Sequence, residues 1–150
     1  MSGGVDSSLA AALLQEQGYA VAGATMHLWG AEGGAALVST SCGTMEAAEE
    51  ARRVCQMLGI PHSIVNLSRE FETCVVAEFV REYERGRTPN PCLACNREVK
   101  FHLLLQRAGA LGFDYLATGH YARIARAEAA DRPRYRLLRG LDRRKDQSYV

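Results

Sequence analysis

The hydrophobic and polar positions of this chain follow a helical period in some stretches and form short apolar runs in others. Good helix formers, or apolar residues on one helical face, occupy residues 5–17, 45–58 and 71–83 and a stretch that begins at Asn96 or Arg97. Runs of β-branched, aromatic and small apolar residues predict strands at 19–29, 62–67 and 114–118. Two more strands are expected around a polar turn at Asp131, Arg132 and Pro133.

Glycines and a capping residue mark the ends of the predicted helices. Gly18, Gly59, Gly86 and Gly112 each follow a helical stretch, where a left-handed residue commonly closes a helix. Thr44 precedes the second helix and can cap its first turn. Residues 31–43 have the composition of a loop.

The order of these elements predicts an α/β fold. Strand and helix alternate over most of the chain, which is typical of an open, mostly parallel sheet with helices on both faces, and a small β-hairpin follows near the C-terminus. A glycine-rich phosphate loop in such folds follows a strand, whereas here the loop begins at residue 1 or 2. We therefore expect residues 1–150 to form one domain that lacks its first strand and is truncated at both ends.

Composition adds a gradient of charge. No apolar run approaches the ~20 residues of a membrane-spanning helix, so no membrane partner is expected. The five cysteines are scattered and odd in number, which is unlike a secreted disulfide framework and favours a cytoplasmic location. Net charge is −6 over residues 1–80, +2 over 81–120 and +5 over 121–150. The C-terminal end therefore either faces a polyanion or is a solvated basic hairpin.

The opening segment SGGVDS, Ser2 to Ser7, has the parts of an anion site. Its two glycines let backbone N–H groups converge, its hydroxyls add donors, and the N-terminus of the first helix points at the bound charge. The lysine of a Walker A loop is absent, since no lysine precedes Lys100. A carboxylate beside phosphate is repulsive unless a cation such as Mg²⁺ lies between them, so we assign Asp6 to metal and phosphate handling. The simpler alternative is a glycine turn that only caps a helix.

The segment TPNPCLACN, Thr88 to Asn96, is a second candidate site. Its prolines favour extended backbone that presents Asn90, and Cys92 and Cys95 lie three positions apart. The pair suits half of a zinc site, a redox pair or a reactive thiol. A zinc site needs a second pair of ligands at suitable spacing, which the chain lacks. A thiolate at Cys95 is favoured by the dipole of the helix predicted to start beside it.

These motifs resemble known families. SGG-x-D-S resembles the PP-loop of the N-type ATP pyrophosphatases, which adenylate their substrates. Four further stretches resemble the tRNA-specific 2-thiouridylases in sequence, order and spacing, and with the loop they cover essentially all of the chain: LGIPHSIVN, GRTPNPCLACNREVKF, ATGHYARI and LLRGLDRRKDQSYV. The chain is identified as a member of that family, whose intact members are more than twice this long and carry central and C-terminal β-rich domains.

The resemblance implies ATP-dependent thiolation of tRNA. ATP adenylates the C2 oxygen of the wobble uridine in lysine, glutamate and glutamine tRNAs, and sulfur from a cysteine persulfide replaces that oxygen. The implied cofactors are ATP and Mg²⁺. The implied partners are the anticodon loop of tRNA and a sulfur donor, either a cysteine desulfurase or a sulfur relay protein, acting on a monomeric enzyme. The isolated fragment is expected to be inactive.

The resemblance also implies which residues form the site. The nucleophile is Cys95. The ATP-binding positions are Met1, Ser2, Gly3, Gly4, Val5, Asp6, Ser7, Met26 and Gly119. The positions that contact the target base or the rest of the tRNA are Asn90, Pro91, Cys92, His120, Lys145, Asp146 and Gln147. By residue type alone, Met26 suits core packing equally well. Lys145, Asp146 and Gln147 would by residue type be polar surface residues.

Position 92 departs from the best-known bacterial relatives, which carry an aspartate there in an acid or base-orienting role. A thiol titrates several pH units higher and accepts hydrogen bonds weakly, so Cys92 cannot simply inherit that role. One hypothesis makes Cys92 and Cys95 ligands of an iron–sulfur cluster. The persulfide-carrying cysteine is expected beyond Val150, because Cys42, Cys55 and Cys74 do not match it. The alternative function is a PP-loop ligase or synthetase that adenylates a small metabolite and does not need Cys95.

Overall fold

The computed structural model of the protein describes residues 1–28, 44–127 and 134–149. The predicted loop at 31–43, the turn at 131–133, Trp29, Cys42 and Val150 lie outside these ranges. The chain divides into two compact units, Met1–Gly119 and His120–Val150, which we describe separately. None of the helices in the described ranges has both the length and the apolar character needed to cross a bilayer.

The first unit begins with two helices and two strands. Helix α1 spans Val5–Glu16, strand β1 Gly23–His27, helix α2 Met45–Leu58 and strand β2 His62–Asn66. The two strands pair in parallel, with Gly23 opposite His62 and His27 opposite Asn66. Strand β1 is shorter than the predicted 19–29, whereas the predictions for α1, α2 and β2 are confirmed to within one residue. The sheet of this unit has two strands in the part of the chain that the structure describes.

The ends of α2 follow the predicted chemistry. The Thr44 hydroxyl accepts a hydrogen bond from the Ala47 amide at 3.2 Å, and Gly59 closes the helix with a left-handed φ of 66°. The side chains that α2 buries are small, namely Ala48, Ala51 and Cys55, at the three- and four-residue spacing of one helical face. A side chain on Gly23 would collide with the Cys55 sulfur, so glycine lets β1 pack directly against α2.

Two longer helices complete the first unit. Helix α3 runs over residues 68–84 and consists of an α-helical start at Ser68–Phe71, a π-helical stretch at Glu72–Val76 and an α-helical end at Ala77–Glu84. Helix α4 runs over residues 91–110, with a π-helical stretch at Cys95–Leu104 between α-helical segments at Pro91–Ala94 and Leu105–Ala110. Their facing sides and the end of β1 build one apolar core, made of Leu28, Leu67, Phe71, Val75, Ala94, Cys95 and Val99.

Two predictions for this region are wrong. Helix α4 begins at Pro91 and not at Asn96 or Arg97, because proline fits the first helical position and Asn90 supplies the cap. Residues 114–118 form no strand, although their composition favours one. A strand requires a partner for its backbone groups, and none of the described strands pairs with residues 114–118.

The second unit is built on an antiparallel hairpin. Strands β3, Ala122–Ala127, and β4, Arg134–Arg139, pair with Ala122 opposite Arg139 and Ala127 opposite Arg134, which confirms the predicted hairpin. Every residue of β4 is exposed. Residues 140–149 follow as a series of turns that fold back on Tyr121.

Candidate functional site

The glycine loop leads directly into α1. The hydroxyl oxygens of Ser2 and Ser7 lie 3.2 Å apart, the Ser2 amide donates to Ser7 Oγ at 3.2 Å, and the Ser7 hydroxyl donates to the Gly4 carbonyl at 3.2 Å. The Ser8 hydroxyl donates to the same carbonyl at 2.9 Å. Gly4 is the cap residue of α1, and no side chain caps this helix. The loop therefore closes on itself through hydroxyls and leaves the positive end of α1 without a side-chain cap.

Glycines on two sides permit close approach to this loop. Gly3 has a φ of +75°, and a Cβ there would lie 2.8 Å from the Ala47 carbonyl oxygen at the start of α2. Gly119 also packs against the loop. A Cβ added at this position would lie 2.8 Å from the Ser7 amide nitrogen and 2.9 Å from the Asp6 carbonyl carbon. The structure thus brings Gly119 against the loop, although 112 residues separate Gly119 from Ser7 in the chain.

Met1 and Met26 flank the loop differently. The Met1 carbonyl accepts a hydrogen bond from the Thr25 hydroxyl at 3.0 Å, and its amino group bonds the Ala24 carbonyl, which ties residue 1 to β1. Met26 is half-buried and packs against the apolar core. The structure therefore gives Met26 the packing role that its residue type allowed, and contact with adenine stays a prediction.

Lys100 is a charged neighbour of residue 1 that the sequence motifs did not single out. Burial lowers the pKa of the Met1 amino group; Cys55 raises that pKa, and the positive charge of Lys100 lowers it. Lys100 lies in the π-helical stretch of α4, five residues after Cys95. The sequence signal was weak because spacing along the chain does not show which element a lysine faces.

A network of ion pairs fixes the approach to α4. The Glu82 carboxylate accepts hydrogen bonds from Arg85 at 3.0 Å and Arg87 at 3.1 Å. The hydrogen bond from Arg87, followed by that from Arg85, holds the pKa of Glu82 below its usual range. Gly86 turns the chain between the two arginines with a φ of +71°. This turn sets the direction in which the segment from Thr88 enters α4.

Asn90, Pro91 and Cys92 form the first turn of α4. Asn90 is exposed, and its Oδ1 accepts a hydrogen bond from the Cys92 amide at 3.0 Å. Pro91 occupies the first helical position, and Cys92 follows as an exposed side chain. Asn90 is therefore the helix cap, a role that the sequence analysis missed although asparagine before proline is a known helix-start signal.

Cys95 lies one turn further along α4, inside the apolar core, where 9% of its surface is exposed. The prediction that Cys95 sits at a helix N-terminus is wrong, because the helix starts five or six residues earlier than expected. The cysteine in the first helical turn is Cys92. The next residue, Asn96, is 3% exposed, and its Oδ1 has no hydrogen-bond partner among the described residues.

In the second unit, Tyr121 and Gln147 hold the turns after β4 in place. The Tyr121 amide donates to Gln147 Oε1 at 3.0 Å, and the Gln147 amide donates to the Tyr121 carbonyl at 2.9 Å. Exposed Lys145 has its ammonium 4.8 Å from the Tyr121 ring centroid. His120, immediately before Tyr121, is half-buried. The sequence motifs gave no role to Tyr121 itself.

Asp146 organises the same turns through its carboxylate. It accepts hydrogen bonds from the Gly140 amide at 2.8 Å, the Ser148 amide at 3.2 Å and the Ser148 hydroxyl at 3.1 Å. The hydrogen bond from Gly140 is the main reason that the pKa of Asp146 is lowered. The Asp146 and Gln147 side chains are thus engaged within the unit, whereas Lys145 is exposed, as are Arg143 and Arg144 of the same turns.

Cys92 and Cys95 differ too much in exposure to resemble a preformed metal site. The described ranges contain no group of three or more His, Cys, Asp and Glu side chains able to hold a metal ion together. The four cysteines that the structure describes, Cys55, Cys74, Cys92 and Cys95, carry free thiols. Cys55 is buried, and this burial raises the pKa of its thiol.

Comparison with known proteins gives a match along the entire chain. Residues 1–150 match the family described as "tRNA methyl transferase HUP domain". The tRNA-specific 2-thiouridylase MnmA of Roseiflexus sp. strain RS-1 is 55% identical over 164 residues, covering 100% of this chain and 44% of the relative. The proteins of the same name from Chloroflexus aggregans and Desulforamulus reducens are 57% and 52% identical, each over 100% of this chain and 41% of the relative.

The chain thus spans less than half the length of these relatives. A HUP domain has a Rossmann-like α/β fold, so the fold class expected from the sequence is confirmed at that level. The motif-based resemblance and the whole-chain matches point to the same proteins. The chain belongs to the tRNA 2-thiouridylase family, whose HUP domain it matches from its first residue to its last.

Proposed function

We propose that this protein thiolates C2 of the wobble uridine in lysine, glutamate and glutamine tRNAs, using ATP to activate the C2 oxygen. The observation that carries the proposal is the 52–57% identity of the whole chain to proteins named tRNA-specific 2-thiouridylases. The proposed domain is the N-terminal PP-loop domain of a longer enzyme. Its complete form would be an open, mostly parallel sheet with helices on both faces, in which a further strand precedes Met1.

The geometry of the glycine loop supports ATP binding. The uncapped start of α1 offers backbone N–H groups to phosphate, and Gly3 and Gly119 leave no side chain in the way. The nucleotide would be held by Met1, Ser2, Gly3, Gly4, Val5, Asp6, Ser7, Met26 and Gly119. Asp6 is exposed in the first turn of α1, which suits a carboxylate that binds Mg²⁺ beside phosphate. Mg²⁺ supplies neutralisation of phosphate charge during adenylation.

The reaction proceeds in three displacements. The C2 oxygen of uridine attacks the α-phosphorus of ATP, and pyrophosphate leaves. The terminal sulfur of a persulfide, on a cysteine outside residues 1–150, attacks C2, and AMP departs with the oxygen. The Cys95 thiolate attacks the inner sulfur of that persulfide. This step leaves 2-thiouridine in the tRNA and a protein disulfide, which a thiol reductant must reduce before the next turnover.

The location of Cys95 adds a requirement to this mechanism. Because only 9% of Cys95 is exposed, its attack needs the first turns of α4 to open when the target base binds. Asn90, Pro91 and Cys92 lie in the turn that would open and would contact the base. Flipping the target nucleotide out of an anticodon loop costs little free energy, because the bases of the loop are not paired in a duplex.

The remaining tRNA contacts are proposed at His120, Lys145, Asp146 and Gln147. Lys145 would pair with phosphate, while Asp146 and Gln147 shape the turn around it through their hydrogen bonds to Gly140 and Tyr121. We also propose a cysteine desulfurase or sulfur relay protein as donor, a cytoplasmic location and a monomeric enzyme.

An iron–sulfur cluster on Cys92 and Cys95 is not part of this proposal. One of the two thiols is exposed and the other is buried, and the described ranges hold no third ligand beside them. Iron and sulfide analysis of the anaerobically purified protein would reveal a cluster if ligands outside those ranges complete one.

The proposal predicts that Cys95→Ala abolishes 2-thiouridine formation in the full-length enzyme while about one equivalent of pyrophosphate per enzyme is still released. Loss of the thiol removes the final displacement but leaves the ATP site intact. Thiolation is measured by mass spectrometry of nucleosides from the tRNA, which also distinguishes sulfur substitution from addition of a methyl group. Pyrophosphate release is measured separately with unmodified tRNA.

The matched control is Cys74→Ala, which removes a half-buried thiol packed against the same core but outside the site. This variant should keep both activities. Unchanged thiolation by Cys95→Ala would refute the assigned nucleophile. Pyrophosphate release that depends on a small metabolite and not on tRNA would favour the alternative ligase or synthetase.

A further inference from the structure

The hairpin of the second unit has two faces of different chemistry. Cross-strand partners in an antiparallel pair project to the same side, and successive residues project to opposite sides. One side carries three arginines, which we call the arginine face: Arg123 opposite Leu138, Arg136 opposite Ala125, and Arg134 opposite Ala127. The other side, the mixed face, carries three large apolar residues between two arginines: Arg126, Ile124, Tyr135, Leu137 and Arg139.

The arginine face is exposed and strongly positive. Arg123, Arg134 and Arg136 are all exposed. The carboxylates that the structure describes in this unit are engaged elsewhere, Asp142 with Arg144 and Asp146 with Gly140 and Ser148. Within the described ranges, no carboxylate pairs with a guanidinium of this face. The three positive charges on this side of the hairpin are therefore not neutralised by any carboxylate among the described residues.

The geometry of the face is fixed by the hairpin itself. Arg134 and Arg136 lie two residues apart on one strand, which separates their Cα atoms by roughly 6.6–6.8 Å. Arg123 is held by a hydrogen bond from its Nε to the Arg139 carbonyl at 2.9 Å, which leaves its terminal NH₂ groups for a ligand. A guanidinium presents a planar fork of donors that matches phosphate oxygens.

We propose that the arginine face binds the sugar–phosphate backbone of RNA. This inference rests on the proposed function, because it takes the polyanion to be the tRNA substrate. An anionic lipid surface fits less well, since Leu138 is the one large apolar side chain of this face and is only 36% exposed. Contacts to phosphate position the RNA without reading its sequence, so this face would orient tRNA and not select the target base.

The test compares single and double alanine variants of the full-length protein in binding unmodified tRNA over a range of salt concentrations. The slope of log K against log salt is negative, and each lost phosphate contact reduces its magnitude by about 0.7–0.9. Arg136→Ala should reduce the magnitude of the slope by the amount expected for about one contact, and the double variant Arg134→Ala/Arg136→Ala by the amount for about two. Arg134→Lys/Arg136→Lys keeps the charges and should keep most of the slope.

Arg126→Ala is the matched control, because it removes one arginine from the mixed face of the same hairpin and changes the net charge equally. It should leave the slope unchanged, and thermal unfolding verifies that each variant is folded. Equal slopes for the arginine-face variants and the unaltered protein, or an equal loss in Arg126→Ala, would overturn the inference. If the unaltered protein neither binds nor thiolates tRNA, the proposed function has failed instead.

Discussion

His62 and Thr25 form a small polar pair between the two strands of the first unit. The Thr25 hydroxyl donates its hydrogen to the Met1 carbonyl, so it accepts from His62 Nε2 at 2.9 Å. This assigns the proton of the neutral imidazole to Nε2. Partial burial is the main cause that lowers the pKa of His62, and the charge of Arg52 lowers it further, while Glu49 opposes them. The folded protein therefore favours neutral His62.

A stability loss on acidification follows from the lowered pKa. An unfolded histidine takes up a proton near its ordinary pKa of about 6.5, whereas His62 in the folded chain resists protonation. We therefore expect the contribution of His62 to be fully present above about pH 6.5 and to decline as the pH falls through the unfolded pKa towards the folded one. Urea unfolding at a series of pH values measures this decline.

The comparison variant for this prediction is His102→Gln, which removes an exposed histidine. His62→Gln should flatten the dependence of unfolding free energy on pH in this window, and His102→Gln should not. The same slope in both variants would show that His62 is not the source. Nothing in the sequence gives a reason to select His62, because its hydrogen-bond partner Thr25 is distant in the chain.

At the scale of elements, the start of α4 decides the environment of both cysteines. The sequence predicted a helix start at Asn96 or Arg97, which would put both Cys92 and Cys95 before the helix, and this prediction is wrong. The cap at Asn90 puts Cys92 in the first turn, exposed, and Cys95 one turn later in the core. A shift of a few residues in a helix boundary therefore decides which of the two cysteines lies beside the helix N-terminus.

The capping role predicts how substitutions at Asn90 affect stability. Asn90→Ala should lower the free energy of unfolding by about 0.5–2 kcal/mol, because the Cys92 amide loses its side-chain acceptor. Asn90→Asp keeps an acceptor oxygen and should be close to the unaltered protein in denaturant unfolding. If the two variants were equally stable, the cap would contribute nothing.

Activity separates the two roles of Asn90. If Asn90 also contacts the target base, as proposed, Asn90→Asp should retain the stability of the fold and still lose thiolation, since a carboxylate lacks the amide donors. Full thiolation by a stable Asn90→Asp enzyme would leave Asn90 as a cap alone.

At the scale of the whole molecule, the candidate ATP site depends on the approach of Gly119 to the start of α1. A side chain at 119 would press on backbone atoms of Asp6 and Ser7 at 2.8–2.9 Å, and backbone cannot move aside cheaply. Gly119→Ala should therefore lower stability by about 1–3 kcal/mol and weaken ATP binding. Denaturant unfolding and titration with ATP measure the two effects.

Gly109→Ala is the matched control, because Gly109 lies in the last α-helical segment of α4 and a Cβ there meets nothing within 4 Å. That variant should gain about 0.4–1 kcal/mol from the restricted unfolded chain and bind ATP normally. A similar response at the two glycines would contradict the close approach of residue 119 to the loop.

The sequence by itself determined the local features of this protein. The helix periods, the glycine at the end of α2, the Thr44 cap and the hairpin follow from interactions within a few residues, and the motifs with their spacing sufficed to identify the family. These signals depend on local backbone preferences and on the order of residues, both of which a single chain displays directly.

Only the tertiary structure decided which residues meet. The approach of Gly119 to Asp6 and the burial of Cys95 depend on packing between segments distant in sequence, and the placement of three hairpin arginines on one face depends on the register of the two strands. Residue type constrains such encounters weakly, because the same side chain is compatible with a core, a cap or a surface. The surrounding elements select among them, by burial and by the hydrogen-bond partners that they supply.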